Sequence, residues 1–238
     1  MSGHSHWATN KRAKGIADSK RAKNFSKLLR EISVAVKIGG PNVENNPRLK
    51  LAVQNAKGFN MPKENIERAI KGSDNNSNYT MATYEGKWLH GIFVIIECLT
   101  DNVNRTFSDI KSIFSRNGGE LIETGSLSYI FNKRSSFEIY SEGIDIEKFT
   151  LDVIEHGGED VFVNKEENTA EIIGNANYFA DIQRYLEEKN IEIKHSCLKF
   201  VPQNQVDLDE ETADSAMEFF RLLEDNDDVQ NVYHNVSL

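Results

Sequence analysis

The chain has 238 residues, 39% hydrophobic and 27% charged, with a formal net charge of −9. That length predicts two or three domains rather than one. Its longest apolar run, residues 91–96, is strand-length and far short of the ~20 residues that span a bilayer, so no membrane partner is expected.

The net charge conceals a division. Residues 1–72 hold 15 Lys+Arg and 5 Asp+Glu, a net of +10, whereas the remainder hold 13 and 32, a net of −19. A basic block joined to an acidic body is an electrostatic footprint of nucleic-acid binding that average composition hides. The N-terminus has no apolar stretch of the secretory type, and Asp18 with the lack of a long Ser/Arg-rich presequence argues against a transit peptide. A cytoplasmic protein is expected. Cys98 and Cys197 lie in apolar, strand-like runs and read as reduced thiols.

The first predicted element is a helix over 18–38, closed by Gly39-Gly40. Phe25, Leu28, Leu29, Ile32 and Val36 fall within one narrow arc of it. Lys20, Lys23, Lys27 and Arg30 fall on the opposite side, a basic face suited to phosphate, with Arg21 beside them. Ahead of the helix, Lys11, Arg12 and Lys14 are further candidate phosphate contacts. Trp7 either stacks on a base or packs back onto the helices. Asn46-Pro47 and Asn60-Met61-Pro62 each read as a cap followed by Pro, opening two more short helices. Their apolar stripes are Leu49, Ala52, Val53 and Ala56, then Ile66, Ala69 and Ile70. A three-helix basic domain over 1–78 follows, ending in the polar linker 73–78.

The body changes to mixed elements. Residues 91–99 read as a strand and 104–117 as a helix with Phe107, Ile110, Ile113 and Phe114 inward; 120–123 and 126–131 read as strands. Next come a strand at 136–140, a helix at 146–156, a hairpin of 160–164 with 169–173, a helix at 178–189 and a strand at 191–200. Asn117-Gly118-Gly119-Glu120 and His156-Gly157-Gly158-Glu159 mark a duplication of the split βαβ plan. A helix at 210–223, with Ala213, Met217, Phe220 and Leu223 on one face, and a strand at 229–236 supply what the first unit lacks. The fold class expected is therefore α+β: a three-helix domain and two ferredoxin-like (βαββαβ) units, one inserted in the other. The domains are 1–78, 79–132 plus 204–238, and 133–203.

No nucleotide loop, HExxH, CxxC or GxSxG pattern is present, so no enzyme, cofactor, metal or small-molecule substrate is expected. The polar cluster at residues 97–106 reads either as helix capping tied by Arg105 or as an anion or partner site at a helix N-terminus.

Gly3-His4-Ser5-His6-Trp7-Ala8, Asn46-Pro47-Arg48-Leu49, the run at residues 60–70, Tyr84-Glu85-Gly86 and the run at residues 97–106 together resemble the YebC/PmpR family, through nearly the whole chain. The resemblance implies a three-domain α+β, non-enzymatic, cytoplasmic bacterial protein that binds nucleic acid. Mitochondrial relatives act as translational activators of cytochrome oxidase. Family members are described both as DNA-binding transcriptional regulators and as ribosome-associated factors that relieve stalling at proline-rich stretches. Ribosomal RNA or duplex DNA, with ribosomal proteins, are thus the partners implied, and translation is the favoured reading. Two positions depart from the family pattern: His6 replaces a usual Lys, and Lys87-Trp88-Leu89-His90-Gly91 replaces a Gly-Pro-Gly-like turn.

Overall fold

A computed structural model describes residues 6–72 and 79–237, with side chains from Ala22 onward in the first stretch. The chain divides into two compact units, Met1–Asn76 and Ser77–Leu238. The linker expected at 73–78 lies outside the described residues.

The first unit contains α1 (His6–Gly39), α2 (Pro47–Gly58) and α3 (Lys63–Gly72). Ile32, Ala35, Val36, Leu49, Ala52, Val53, Ala56, Met61 and Ile66 form its core, with Phe25, Leu28 and Leu29 packed against them. This is the arc read from the sequence. Buried Asn46 joins two helices: its Oδ1 accepts from the Leu49 amide at 3.1 Å, and its Nδ2 donates to the Ala35 carbonyl at 2.7 Å and to the Gly40 carbonyl at 2.8 Å. Gly40 ends α1 with φ 84°.

Two expectations change here. Helix α1 begins at His6, twelve residues before 18, because Ala8, Lys11, Arg12, Ala13 and Lys14 favour helix and Gly15 alone does not break it. Asn60 does not cap α3. With φ 56° it closes α2, where the Met61 amide donates to the Ala56 carbonyl at 2.9 Å.

The second unit is α+β, with two four-stranded antiparallel sheets. Its elements are β1 (Thr80–Trp88), β2 (Ile92–Thr100), α4 (Val103–Arg116), β3 (Glu120–Ile122), β4 (Phe131–Tyr140), α5 (Ile146–Ile154), β5 (Gly158–Asn164), β6 (Thr169–Asn175), α6 (Phe179–Glu188), β7 (Ile193–Pro202), α7 (Glu210–Glu224) and β8 (Val229–His234). One sheet has the order β3-β1-β2-β8, the other β5-β6-β4-β7. The second is a split βαβ arrangement in chain order β4-α5-β5-β6-α6-β7. The first has the same spatial order, but its hairpin strand comes from the front of the unit.

That strand, β1, is the one the sequence reading omits. Thr80–Trp88 contains Gly86 and charged residues, which blur the two-residue alternation. Gly86 is required because a Cβ there would lie 2.2 Å from the Phe114 ring. The strand expected at 126–131 is instead a series of turns that feeds into β4. Glu85 holds it: its buried carboxylate accepts from the Gly125 and Leu127 amides, both at 2.8 Å. Leu127 and Phe131 are then buried with Ile95 in a small cluster that Phe93, Phe200 and Tyr233 flank, so the alternation in 126–131 belongs to a packed turn.

Two residues expected inward are exposed instead, Phe107 on α4, whose Ile110, Ile113 and Phe114 do face the core, and Met217 on α7. Phe107 is 43% exposed and Met217 46%, while Ala216 and Phe219 turn inward with Phe220 and Leu223. Trp88 causes the second shift, since Phe219 stacks on it at 5.2 Å and meets Phe114 edge-on at 5.0 Å.

Candidate nucleic-acid interface

Helix α1 places the backbone of every candidate phosphate contact on one rod. The side chains of Trp7, Lys11, Arg12, Lys14, Lys20 and Arg21 lie outside the described residues. Lys23, Lys27 and Arg30 are described, and they are half-buried rather than fully presented to solvent. The face is not of one sign. Glu31 follows Lys27 by four residues, and its carboxylate accepts from both Nη2 and Nε of Arg48, at 2.9 and 3.0 Å. Both guanidinium nitrogens reach the same oxygen, Oε1, and the pair ties α1 to α2.

Among the described residues of this unit, the exposed cations are Lys37 on α1, Lys50 and Lys57 on α2, and Lys63, Arg68 and Lys71 on α3. Glu67 meets Lys63 at 3.6 Å, an exposed pair of small energetic weight. Positive charge is thus spread over all three helices of the unit.

The cluster at residues 97–106 resolves toward capping. Asn102 caps α4 by accepting from the Arg105 amide at 3.0 Å. The space where an anion would sit is taken by Asp228, only 5% exposed, from the turn between α7 and β8. Its Oδ2 accepts from Arg105 Nη2 at 2.7 Å, Thr106 Oγ1 at 2.8 Å and Thr100 Oγ1 at 3.1 Å. Burial pushes the Asp228 carboxyl up, but the hydrogen bonds from Arg105, Thr106 and Thr100 outweigh it and hold the group below the usual range. The Arg105 guanidinium is pushed up by its bonds to Asp228 and Asp101. Sequence reasoning misses Asp228 because it lies far along the chain and has no local motif.

On the open face of the second sheet, Glu138 and Glu171 stand directly opposite each other. Lys194 meets Glu138 at 2.6 Å, and Lys199 meets Glu171 at 2.5 Å, so each carboxylate is already neutralised. Nearby His195 is held below its ordinary value by burial and stays neutral at pH 7.

Cys98 and Cys197 are not joined in a disulfide. Burial pushes Cys197 to about 11, which leaves it in the unreactive protonated form. Among the described residues, no group of three or more His, Cys, Asp or Glu could hold a metal ion. No described helix is long and apolar enough to cross a membrane.

Comparison with known proteins agrees with this architecture. Residues 5–76 match the TACO1/YebC protein N-terminal domain, and residues 79–236 match the TACO1/YebC second and third domain. A probable transcriptional regulatory protein of Amoebophilus asiaticus is 47% identical over 240 residues, covering 100% of this chain and 98% of that one. One from Borrelia recurrentis, with the same description, is 43% identical at the same coverage. A crystal structure of a conserved hypothetical protein from Aquifex aeolicus superimposes with a TM-score of 0.81 at 37% identity, covering 92% of this chain and 91% of that one. The chain belongs to the TACO1/YebC family.

Proposed function

We propose that this protein is a non-enzymatic, nucleic-acid-binding regulator of gene expression in the cytoplasm, acting on translation at the ribosome. The observation that supports this most is the charge division: +10 over residues 1–72 against −19 over the rest, following the boundary between two compact units. The basic unit binds nucleic acid, with Lys11, Arg12, Lys14, Lys20, Arg21, Lys23, Lys27 and Arg30 as its phosphate contacts and Trp7 stacking on a base. The acidic unit is repelled by nucleic acid and meets basic ribosomal proteins. Its two sheets are read as two domains, 79–132 plus 204–238 and, inserted between these segments, 133–203.

The preference for RNA rests on side-chain type. Lysines dominate α1, and Asn24 is the nearest residue suited to reading a base edge. Such a surface grips backbone rather than sequence. Relief of stalling at proline-rich stretches is the translational role in view. The second reading, a DNA-binding transcriptional regulator, is favoured by the descriptions of the Amoebophilus and Borrelia relatives.

Sedimentation of lysate through sucrose gradients at low and high salt separates the two. Comigration with ribosomes that survives DNase, weakens with salt and is lost in Lys20/Lys23/Lys27→Glu supports translation. If the protein stays at the top of the gradient while the purified chain shifts a duplex promoter fragment, the transcriptional reading replaces it. Each single Lys→Ala change lowers the log–log salt slope by about one.

A further inference from the structure

Residues 133–203 carry 15 Asp+Glu and 8 Lys+Arg, and the imbalance has one location. The segment 142–167, which contains α5, β5 and the turn after it, holds nine acids and two lysines, a net of −7, whereas the rest of 133–203 holds six of each sign. The same segment exposes apolar side chains. Phe149 and Val153 of α5 face the core. Asp152, and His156 just beyond the helix, face α6, where Tyr185 donates to the Asp152 carboxylate at 3.4 Å and stacks on the His156 ring at 4.5 Å. Leu151 and Ile154, three residues apart, are thereby turned away from both and are 68% and 49% exposed.

Strand β5 is the outer strand of its sheet, and α5 packs over it. Val161 joins the helix-side core, so Val163 lies on the same face, where it is exposed. Glu147 and Glu155 stand one turn to either side of Leu151, and Glu159 and Asp160 follow Gly158 at the start of β5. Two acids of the segment are answered from outside it: Glu159 receives Arg134 at 2.8 Å, and Glu167 receives Lys194 at 3.5 Å. The face stays acidic after both.

Exposed apolar surface rimmed by charge marks an interaction site. The register shift between Gly158 and Asp160 blunts the edge of β5 against strand addition, so side chains rather than backbone carry the contact. The charge selects the occupant. A second copy presenting the same face would set −7 against −7, and nucleic acid would also be repelled, whereas a cationic segment is attracted. Resting on the reading that the acidic unit meets basic ribosomal proteins, we propose that the outer face of α5, with Val163 of β5, docks a cationic protein segment that carries apolar side chains. Leu151 and Ile154 anchor it, and Glu147, Glu155 and Asp160 receive its Lys and Arg.

The photo-crosslinking residue p-benzoylphenylalanine, placed at Leu151 in the full chain and irradiated with purified ribosomes, tests this. The expected adduct is on a Lys/Arg-rich segment of a ribosomal protein. E147K/E155K reverses two rim charges and L151E/I154E removes the anchors, and each lowers the affinity for ribosomes on the order of ten-fold. All four residues are exposed, and circular dichroism checks that each variant is folded. A chain that pellets with ribosomes but gives its adduct on RNA, on another copy or another part of this chain, or gives none, overturns the docking face and leaves the ribosomal reading standing. Full affinity in either double variant overturns it too. A chain that does not pellet with ribosomes at all removes the ribosomal reading, and the docking face with it.

Discussion

Replacing Asp228 by Ala tests whether the motif around Thr100 and Arg105 is structural. The substitution removes an acceptor that serves three donors at 2.7–3.1 Å. Thr100 and Thr106 are fully buried, but their hydroxyls keep each other at 2.7 Å, and the half-exposed Arg105 regains water. The loss therefore falls at the low end for a broken buried pair, about 3 kcal/mol, while D228N, which keeps the shape, costs about 1–2 kcal/mol. Urea unfolding followed by Trp88 fluorescence in a W7F background reports on the right unit, since Trp88 stacks on Phe219 of α7. The carboxyl is held below its ordinary value in the fold. Its stabilisation is thus present in full above the unfolded aspartate pKa and lost as pH falls through the lower folded pKa. Wild type and D228N should differ steadily through neutral pH and converge below about pH 4. A D228A protein within about 0.5 kcal/mol of wild type, the range of an ordinary surface change, would refute the reasoning and reopen the site for an external anion.

Glu85→Gln leaves one acceptor for two amides and turns an NH₂ toward either Gly125 or Leu127. The cost should be about 1–3 kcal/mol, read as lost hydrogen-exchange protection at the Leu127 amide; unchanged protection would mean that the turn holds itself. Gly86→Ala puts a methyl against the Phe114 ring, which already meets Phe219 edge-on, and should cost about 1–3 kcal/mol in the same urea assay, with Phe114→Leu recovering part of it.

The sequence exposes the three-helix core because its stripes are long and Asn46-Pro47 is an unambiguous start signal. The split βαβ plan of the second sheet is legible for a related reason: the Gly157-Gly158 stop after α5 repeats Gly118-Gly119 after α4, and Gly157 and Gly118 take φ 97° and 78°. Strand β1 escapes because Gly86 and Glu85 answer to tertiary partners, Phe114 and the 125–127 turn, rather than to alternation. The face of α7 is misread for the same cause: its phase is set by Trp88, across the core. At the basic unit, residue type marks Lys23, Lys27 and Arg30, but their half-burial and the Glu31–Arg48 tie depend on packing that periodicity does not contain.

Strand β8 has the harder task in the fold. It must find β2 after the whole of the other sheet has been laid down, and closing so long a loop delays the contact. Six residues with a register shift at Glu97/Cys98 specify that pairing weakly by apolar pattern alone. The structure compensates with a polar clamp at each end. At one end the Leu99 amide donates to the Asp228 carbonyl at 2.8 Å, and the Asp228 carboxylate engages Thr100, Arg105 and Thr106. At the other, buried Asn235 accepts from the Phe93 amide at 2.8 Å and donates to the Gly91 carbonyl at 3.3 Å. A slip of one residue in β8 would leave both buried groups without these partners, a penalty far larger than the loss of one apolar contact. Within the polar run at residues 97–106, Glu97, Thr100, Arg105 and Thr106 are therefore engaged in fixing the C-terminal strand. The proposed recognition of nucleic acid therefore rests on the basic helical unit.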